Sequence, residues 1–530
     1  MAETTTPLPR QLYESKAVRQ LDRLAINYFN VSGFELMRRA GAACLHVVRK
    51  RWPLTAHLVV FVGAGNNGGD GYVIAALAIE LGMTSEVLYL SPPDQLAGDA
   101  VRAYQMAVGV GAEIQPFVEA AFAARGHQPN TLLVDAMLGT GLNRPVSGDY
   151  IHAIRAMNAC QAPVLAVDVP SGLNADTGEP FNEAVSAAQT ITFIAIKQGL
   201  LTGSALNHIG DLCFDDLGLP EALYSHAQAP FPKVKRIDIN SVLGGLSPRP
   251  PASHKGKCGH VMVIGGDKGY GGAPLMAAEA SLRSGAGLVS VVSRSEHRAG
   301  VLARRPELMM HGTEDNDFDF DRLLPRASVF VIGPGLGLGA WGEELLRICL
   351  QTASKKSIPV IIDADALTLL ARNSANYMPI KKDTWILTPH PGEAARLLNV
   401  AASKIQLNRF AAIRTLQDDW GGSCLLKGSG SLISNAVEPN LIELCSEGNA
   451  GMATAGMGDI LTGVIAALLA QGLPPAQALS YAVCIHGEAA DLCAGVSGQK
   501  GLLATDLLSQ IRHLINIDRV DGFEFETGYV

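Results

Sequence analysis

Short apolar runs that stop at a glycine or an acid recur along this 530-residue chain, and they dictate layered sheets. Leu58-Val59-Val60-Phe61-Val62 runs into Gly63, Thr131-Leu132-Leu133-Val134 into Asp135, and Val164-Leu165-Ala166-Val167 into Asp168. Strands apolar on both faces belong in a parallel sheet covered by helices on each side. Glu86 to Leu90 and Ala188 to Phe193 read as further strands, and Gly71 to Leu81 as a helix. Residues 12 to 51 read as helical, with Val18, Leu21, Leu24 and Ala25, then Leu36, Ala40 and Ala43, at helical spacing.

The pattern repeats after residue 256. Val261 to Gly266, Leu288 to Val292, Val329 to Gly333, Val360 to Asp363, Trp385 to Thr388 and Ser423 to Lys427 read as strands, and the last helices as running from 459 to about 517. Between 226 and 256 prolines cluster, at Pro230, Pro232, Pro248, Pro250 and Pro251. A junction is expected near 230 to 240, giving domains 1–235 and 236–530, since 530 residues exceed what one core serves. The apolar stretch from Ile460 to Ala482 is broken by Gly472-Leu473-Pro474-Pro475, so it predicts two core helices and no membrane span.

Hydrophobic residues make up 48% and charged ones 17%, with 56 glycines, which suits buried sheets with many strand-to-helix turns. The apolar balance also predicts a homo-oligomer. A net charge of −8 predicts no broad attraction to nucleic acid or to anionic membrane. Nine cysteines without a Cys-x-x-Cys pair predict a reducing, cytoplasmic setting, and Met1 to Pro7 lacks a leader pattern.

In an open α/β sheet, loops at the carboxyl ends of strands gather into the binding crevice. Here they are Gly65-Asn66-Asn67-Gly68-Gly69-Asp70, the stretch from Asp135 to Arg144, and Asp168-Val169-Pro170-Ser171-Gly172. Taken singly, each reads equally well as a tight turn. The Gly-x-Gly-x-x-Gly in the first loop is weak evidence for dinucleotide binding. Leu90 is followed by Ser91-Pro92-Pro93 rather than a ribose-binding acid, which argues against an ordinary NAD dehydrogenase.

In this order the three loops resemble those of the NAD(P)H-hydrate epimerase domain, over about residues 10 to 225. The resemblance implies a Rossmann-like three-layer domain that interconverts the R and S forms of hydrated NAD(P)H. It implies that Asn66, Asn67, Gly68, Gly69 and Asp70, with Gly139, Thr140, Gly141, Leu142, Asn143, Arg144 and Pro145, hold the substrate. Asp168 would meet the reacting end, and Asn67, Asp135 and Ser171 would bind K+. The hydrate is a hemiaminal, and ring opening, rotation and reclosure need a base for the hydroxyl proton, which Asp168 can supply.

The second half carries Gly265-Gly266-Asp267, Gly271-Gly272-Ala273-Pro274, Gly333-Pro334-Gly335-Leu336-Gly337, Thr388-Pro389-His390-Pro391-Gly392-Glu393 and Lys427-Gly428-Ser429-Gly430-Ser431. Last comes Asn449 to Asp459, whose Gly456-Met457-Gly458-Asp459 opens a long apolar helix. Glycine amides and a helix N-terminus seat a phosphoryl group, and the aspartate stands ready to take a proton. Alone, His390 reads as a loop histidine, Lys427 as a surface lysine, and Asp459 as a helix cap.

Together these motifs resemble the ribokinase-like dehydratase domain of the same repair system, over about residues 240 to 515. Both halves on one chain are similar to the bifunctional NAD(P)H-hydrate repair enzymes. The resemblance implies loss of water from S-NADHX or S-NADPHX, driven by ADP or ATP, with Mg2+ accompanying the nucleotide. By carry-over, Ala273, Gly335, Gly337, His390 and Asp459 touch the hydrate; Lys427, Gly428, Ser429, Gly430, Ser431 and Gly458 touch the nucleotide. Met457 departs mildly from the smaller residues usual there. Hydroxide leaves poorly and phosphate well, so phosphorylating the hydroxyl makes elimination feasible, with Asp459 as its base. Two rivals are a ribokinase-type small-molecule kinase and a non-enzymatic nucleotide-binding scaffold. The first does not predict His390-Pro391-Gly392-Glu393 or the upstream half, and Asp135 and Asp168 speak against the second.

Overall fold

The computed structural model describes residues 8–124, 129–242, 245–246, 248–377 and 383–517. The chain divides into two compact units, one ending at Val234 and one beginning at Lys235.

In the first unit, His57–Val62, Thr131–Ala136 and Val164–Val167 lie side by side as neighbouring parallel strands. Thr84–Tyr89 and Glu113–Pro116 extend the sheet on one side, Gln189–Phe193 and Asp211–Asp215 on the other, making seven strands. Glu113–Pro116 and Asp211–Asp215 are too short and too polar to stand out in the sequence. Side chains alternate across the sheet as strand geometry requires. Leu58, Val60 and Val62 enter one core, and Val59 and Phe61 the other. A short parallel pair, Gln11–Tyr13 with Ile196–Lys197, sets Tyr13 opposite Lys197.

Two expectations are corrected. Residues 12 and 13 belong to the strand Gln11–Tyr13, and the helical stretch after them divides into Ser15–Tyr28 and Gly33–Arg51. The helix expected from Gly71 begins at Asn66 and runs Asn66–Glu80, so Asn66 to Asp70 form its first turns rather than a loop before it. The glycines make this fit possible. A Cβ on Gly68 would lie 1.9 Å from the Gly63 carbonyl oxygen, and one on Gly71 2.7 Å from Val62 and Ala136 side chains.

In the second unit, parallel strands Met309–Gly312, Leu288–Ser293, His260–Ile264, Val329–Ile332, Val360–Ile362, Trp385–Leu387 and Ser423–Leu426 lie in that order. An antiparallel hairpin, Ser431–Asn435 with Ile442–Cys445, continues the sheet. The apolar stretch near the end forms helices Met457–Ala470 and Pro475–Ser497. From Ile460 onward the first of these is buried on every side and lies inside the core, where such a helix belongs. No described helix is long and apolar enough to cross a membrane.

Candidate functional site

The strand order of the first unit reverses between His57–Val62 and Thr131–Ala136, the place where open sheets bind ligands. Three strand ends meet there. Asp135, fully buried, accepts hydrogen bonds from Ser171 N at 2.7 Å, Ser171 Oγ at 2.6 Å and Met137 N at 3.3 Å. Burial pushes its carboxyl up to about 6 against the pull of those donors. Ser171 Oγ in turn accepts from Leu138 N at 2.8 Å. Next along the chain is Gly139, where a built Cβ would lie 3.4 Å from the Asn67 side chain. Asn67 itself is buried, and neither polar atom of its amide has a hydrogen-bond partner among the described residues. An unpaired buried amide oxygen near a serine hydroxyl and a carboxylate is an oxygen donor set that fits K+.

Asp168 follows the strand Val164–Val167 with φ of +67°, a left-handed backbone rare for a residue with a side chain. Its carboxylate is bound by Lys197 Nζ, Thr192 Oγ1 at 3.3 Å and Phe193 N at 3.4 Å. Each of these bonds falls on Oδ1, which leaves Oδ2 for a ligand. Burial, then Asp168 and Asp22, pushes Asp70 well above the ordinary carboxyl range. The stretch from Gly139 to Pro145 is more open: Gly141, Asn143, Arg144 and Pro145 are exposed, and Thr140 O accepts from Arg19 Nη1 at 2.8 Å. Lys197 gave no sequence signal beyond being one cation after an apolar run.

In the second unit, the named motifs converge on the carboxyl ends of the parallel strands. Asp363, ending Val360–Ile362, is 1% exposed and paired with Lys427 Nζ at 2.8 Å. Thr462 Oγ1 donates to its other oxygen at 2.7 Å. Lys427 N donates to Pro389 O at 2.9 Å, which sets the Lys427 loop beside His390. A Cβ on Gly458 would lie 3.3 Å from Lys427 Nζ and 3.7 Å from Asp363 Oδ2, so the first turn of Met457–Ala470 rests on the ion pair. Asp459 is half-buried on that turn. Burial, then Asp363, pushes its carboxyl up to about 7 against the pull of Lys427.

His390 caps the helix Pro391–Leu397, accepting from Gly392 N at 3.0 Å while Glu393 Oε2 accepts from His390 N at 2.8 Å. Burial and then Lys427 hold the imidazole below its usual value, so it is neutral at pH 7. Burial lifts Glu393 to about 7. Gly266 N and Asp267 N donate to Pro334 O and Gly335 O at 3.0 and 2.7 Å, and a Cβ on Gly335 would meet Ala273 Cβ at 3.4 Å. Gly337 N donates to Asp365 Oδ2 at 2.9 Å. Beneath Lys427 to Ser431 lies Arg409, 1% exposed, which donates to the carbonyls of Leu426, Lys427 and Gly430, each at 3.3 Å. Arg409 and Asp363 escaped the sequence reading because each works on segments distant in the chain.

A family model described as NAD(P)H-hydrate dehydratase matches residues 261–513, and one described as YjeF-related protein N-terminus matches residues 33–199. A bifunctional NAD(P)H-hydrate repair enzyme of Coxiella burnetii is 45% identical over 505 residues, covering 95% of this chain and 99% of that protein. The one of Escherichia coli is 40% identical, covering 98% of this chain and 97% of that protein. A solved ribokinase-like superfamily protein of Enterococcus faecalis is 30% identical with a TM-score of 0.49, covering 54% of this chain and 96% of that one. With both halves matched by family models and relatives matched along nearly their whole length, this chain belongs to the family of bifunctional NAD(P)H-hydrate repair enzymes.

Proposed function

We propose that this chain restores hydrated NAD(P)H: the first unit interconverts the R and S hydrates, and the second removes water from the S form at the expense of ADP or ATP. The observation that carries the second step is Asp459, with its raised proton affinity, on a glycine-bearing helix turn that rests on the buried Lys427–Asp363 pair.

Asp459 takes the hydroxyl proton as that oxygen attacks the terminal phosphoryl group of the nucleotide. The amides from Gly456 to Gly458 and the helix N-terminus stabilise the charge that builds on the phosphoryl oxygens. Lys427 adds a fixed positive charge, and Gly428 to Ser431 meet the nucleotide. The ring nitrogen then pushes out phosphate, which leaves with the former hydroxyl oxygen, and loss of a proton from the neighbouring ring carbon to solvent restores the dihydropyridine. Inorganic phosphate and AMP, or ADP, are the products. Ala273, Gly335, Gly337 and His390 line the hydrate side.

Among the described residues, the one group of three or more His, Cys, Asp or Glu side chains close enough to share a metal is Cys445, Glu447 and Cys484, whose thiols do not suit Mg2+. A divalent ion would therefore arrive on the nucleotide phosphates. In the first unit, Asp168 Oδ2 is the base for the hydroxyl proton, and Asn66 to Asp70 with Gly139 to Pro145 receive the phosphates and ribose. Asn67, Asp135 and Ser171 would hold K+, which supplies positive charge that orders the loop. We place the reaction in the cytoplasm, with a homo-oligomer as the working unit.

The test is a pair of assays on the full chain. NADH hydrate is supplied with ADP or with ATP, and the absorbance of reduced nicotinamide is followed together with phosphate release. Asp459→Asn should abolish recovery and Asp168→Asn should abolish only R–S interconversion. A phosphorylated product accumulating without recovery defeats the reading in favour of a small-molecule kinase.

A further inference from the structure

We propose that Asp363 is the positioning residue of the second site, tying the lysine of the nucleotide loop to the helix that carries Asp459; this rests on the dehydratase reading above. None of the roles assigned to the motif residues uses Asp363. Its two carboxylate oxygens nonetheless reach two different elements.

Oδ1 holds Lys427, from the loop after Ser423–Leu426, at 2.8 Å. Oδ2 holds Thr462, on Met457–Ala470, at 2.7 Å. Thr462 lies one helical turn beyond Gly458, so both face the ion pair. Thr388, following the intervening strand Trp385–Leu387, donates to the Ile362 carbonyl oxygen at 3.5 Å, immediately before Asp363. An ion pair buried for stability alone gains little over apolar packing of the same volume. Here the pair lies under the turn where the phosphoryl group would sit, which is a reason to keep it charged.

The charges around this centre oppose one another. Asp459 is raised by burial and by Asp363, lowered by Lys427, and raised further by Asp365. Lys427 faces Asp363, Glu393 and Asp459, and the neutral His390 and His486 feel its charge. Burial and then Lys427 hold the His486 imidazole down at about 4. Asp363 and Lys427 thus pull the proton affinity of Asp459 in opposite directions, and fixing their geometry fixes the balance.

The test is the pH profile of kcat/KM for water loss from the S hydrate. It is measured on the full chain for wild type, Asp363→Asn, Lys427→Met and the double variant, with thermal melts as the check on folding. The acidic limb should move down by about one pH unit in Asp363→Asn and up by about as much in Lys427→Met. In the double variant, which leaves no orphaned charge, it should return near the wild-type position. If the acidic limb stays fixed in folded variants, whatever the loss of rate, Asp363 is only a structural anchor and the proposal falls. Should Asp363→Asn not fold, the double variant is compared with Lys427→Met, and coincident limbs overturn the proposal. A wild-type chain that recovers no reduced nicotinamide instead defeats the underlying reading.

Discussion

Lys197 and Asp168 form an ion pair closed on the lysine side, with side-chain exposures of 1% and 18%. The ammonium also donates to Thr192 Oγ1 and Phe193 O, each at 3.0 Å, so its three protons are all engaged. These three bonds let Lys197 hold Asp168 Oδ1 in place. Lys197→Met should slow R–S interconversion by about a hundredfold and cost about 3 kcal/mol of stability, because it strands a carboxylate among Asp22 and Asp70. NMR of the hydrate epimers and chemical denaturation measure the two effects; an unchanged rate would detach Lys197 from the chemistry.

The glycines of the first loop divide by purpose. A Cβ on Gly65 meets nothing within 4 Å, whereas one on Gly68 meets the Gly63 carbonyl oxygen at 1.9 Å. Gly65→Ala should leave the melting temperature nearly unchanged and report only on ligand approach. Gly68→Ala should lower stability by about 2 kcal/mol or more, since backbone must move. Equal melts for the two would show that Gly68 does not seat the helix.

Asp459 also links stability to pH. Its carboxyl is lifted from 3.8 to about 7 in the folded chain, so the folded state holds the proton more tightly than the unfolded state. That contribution is present below pH 4 and is lost as pH rises through about 7. Asp459→Asn removes it. The variant should melt higher than wild type above pH 7, with the gap closing toward pH 4, and a gap independent of pH would contradict the assignment.

Potassium should matter to one activity more than the other. Replacing K+ with a bulky organic cation should depress R–S interconversion and leave dehydration of the S form largely intact. Asn67→Ala, which deletes the unpaired buried amide, should be slow in either salt. Equal sensitivity of wild type and variant to the exchange would remove Asn67 from the ion's surroundings.

Much of this was readable from residue order, for physical reasons. A buried strand such as Val329–Ile332 must be apolar on both faces, and His57–Val62 obeys the same rule, so both stand out from their flanks. The hairpin Ser431–Asn435 with Ile442–Cys445 mixes polar and apolar residues and did not. The start of Asn66–Glu80 is hidden in the sequence because glycines read as loop, while packing against Gly63 and Val62 turns them into helix. At the sites, the glycine-rich turns are contiguous and announce themselves. Asp363 and Lys197 act on partners 64 and 29 residues away, a relation that residue order alone does not carry.

The helix Met457–Ala470 has buried residues on all its faces from Ile460 onward. A rod enclosed in this way cannot tilt or slide without remaking the interior around it. The base it presents inherits that stiffness. Divergence of this scaffold toward other alcohols would then proceed by exchanging the strand-end loops around a stationary carboxylate, with the rod itself left as inheritance.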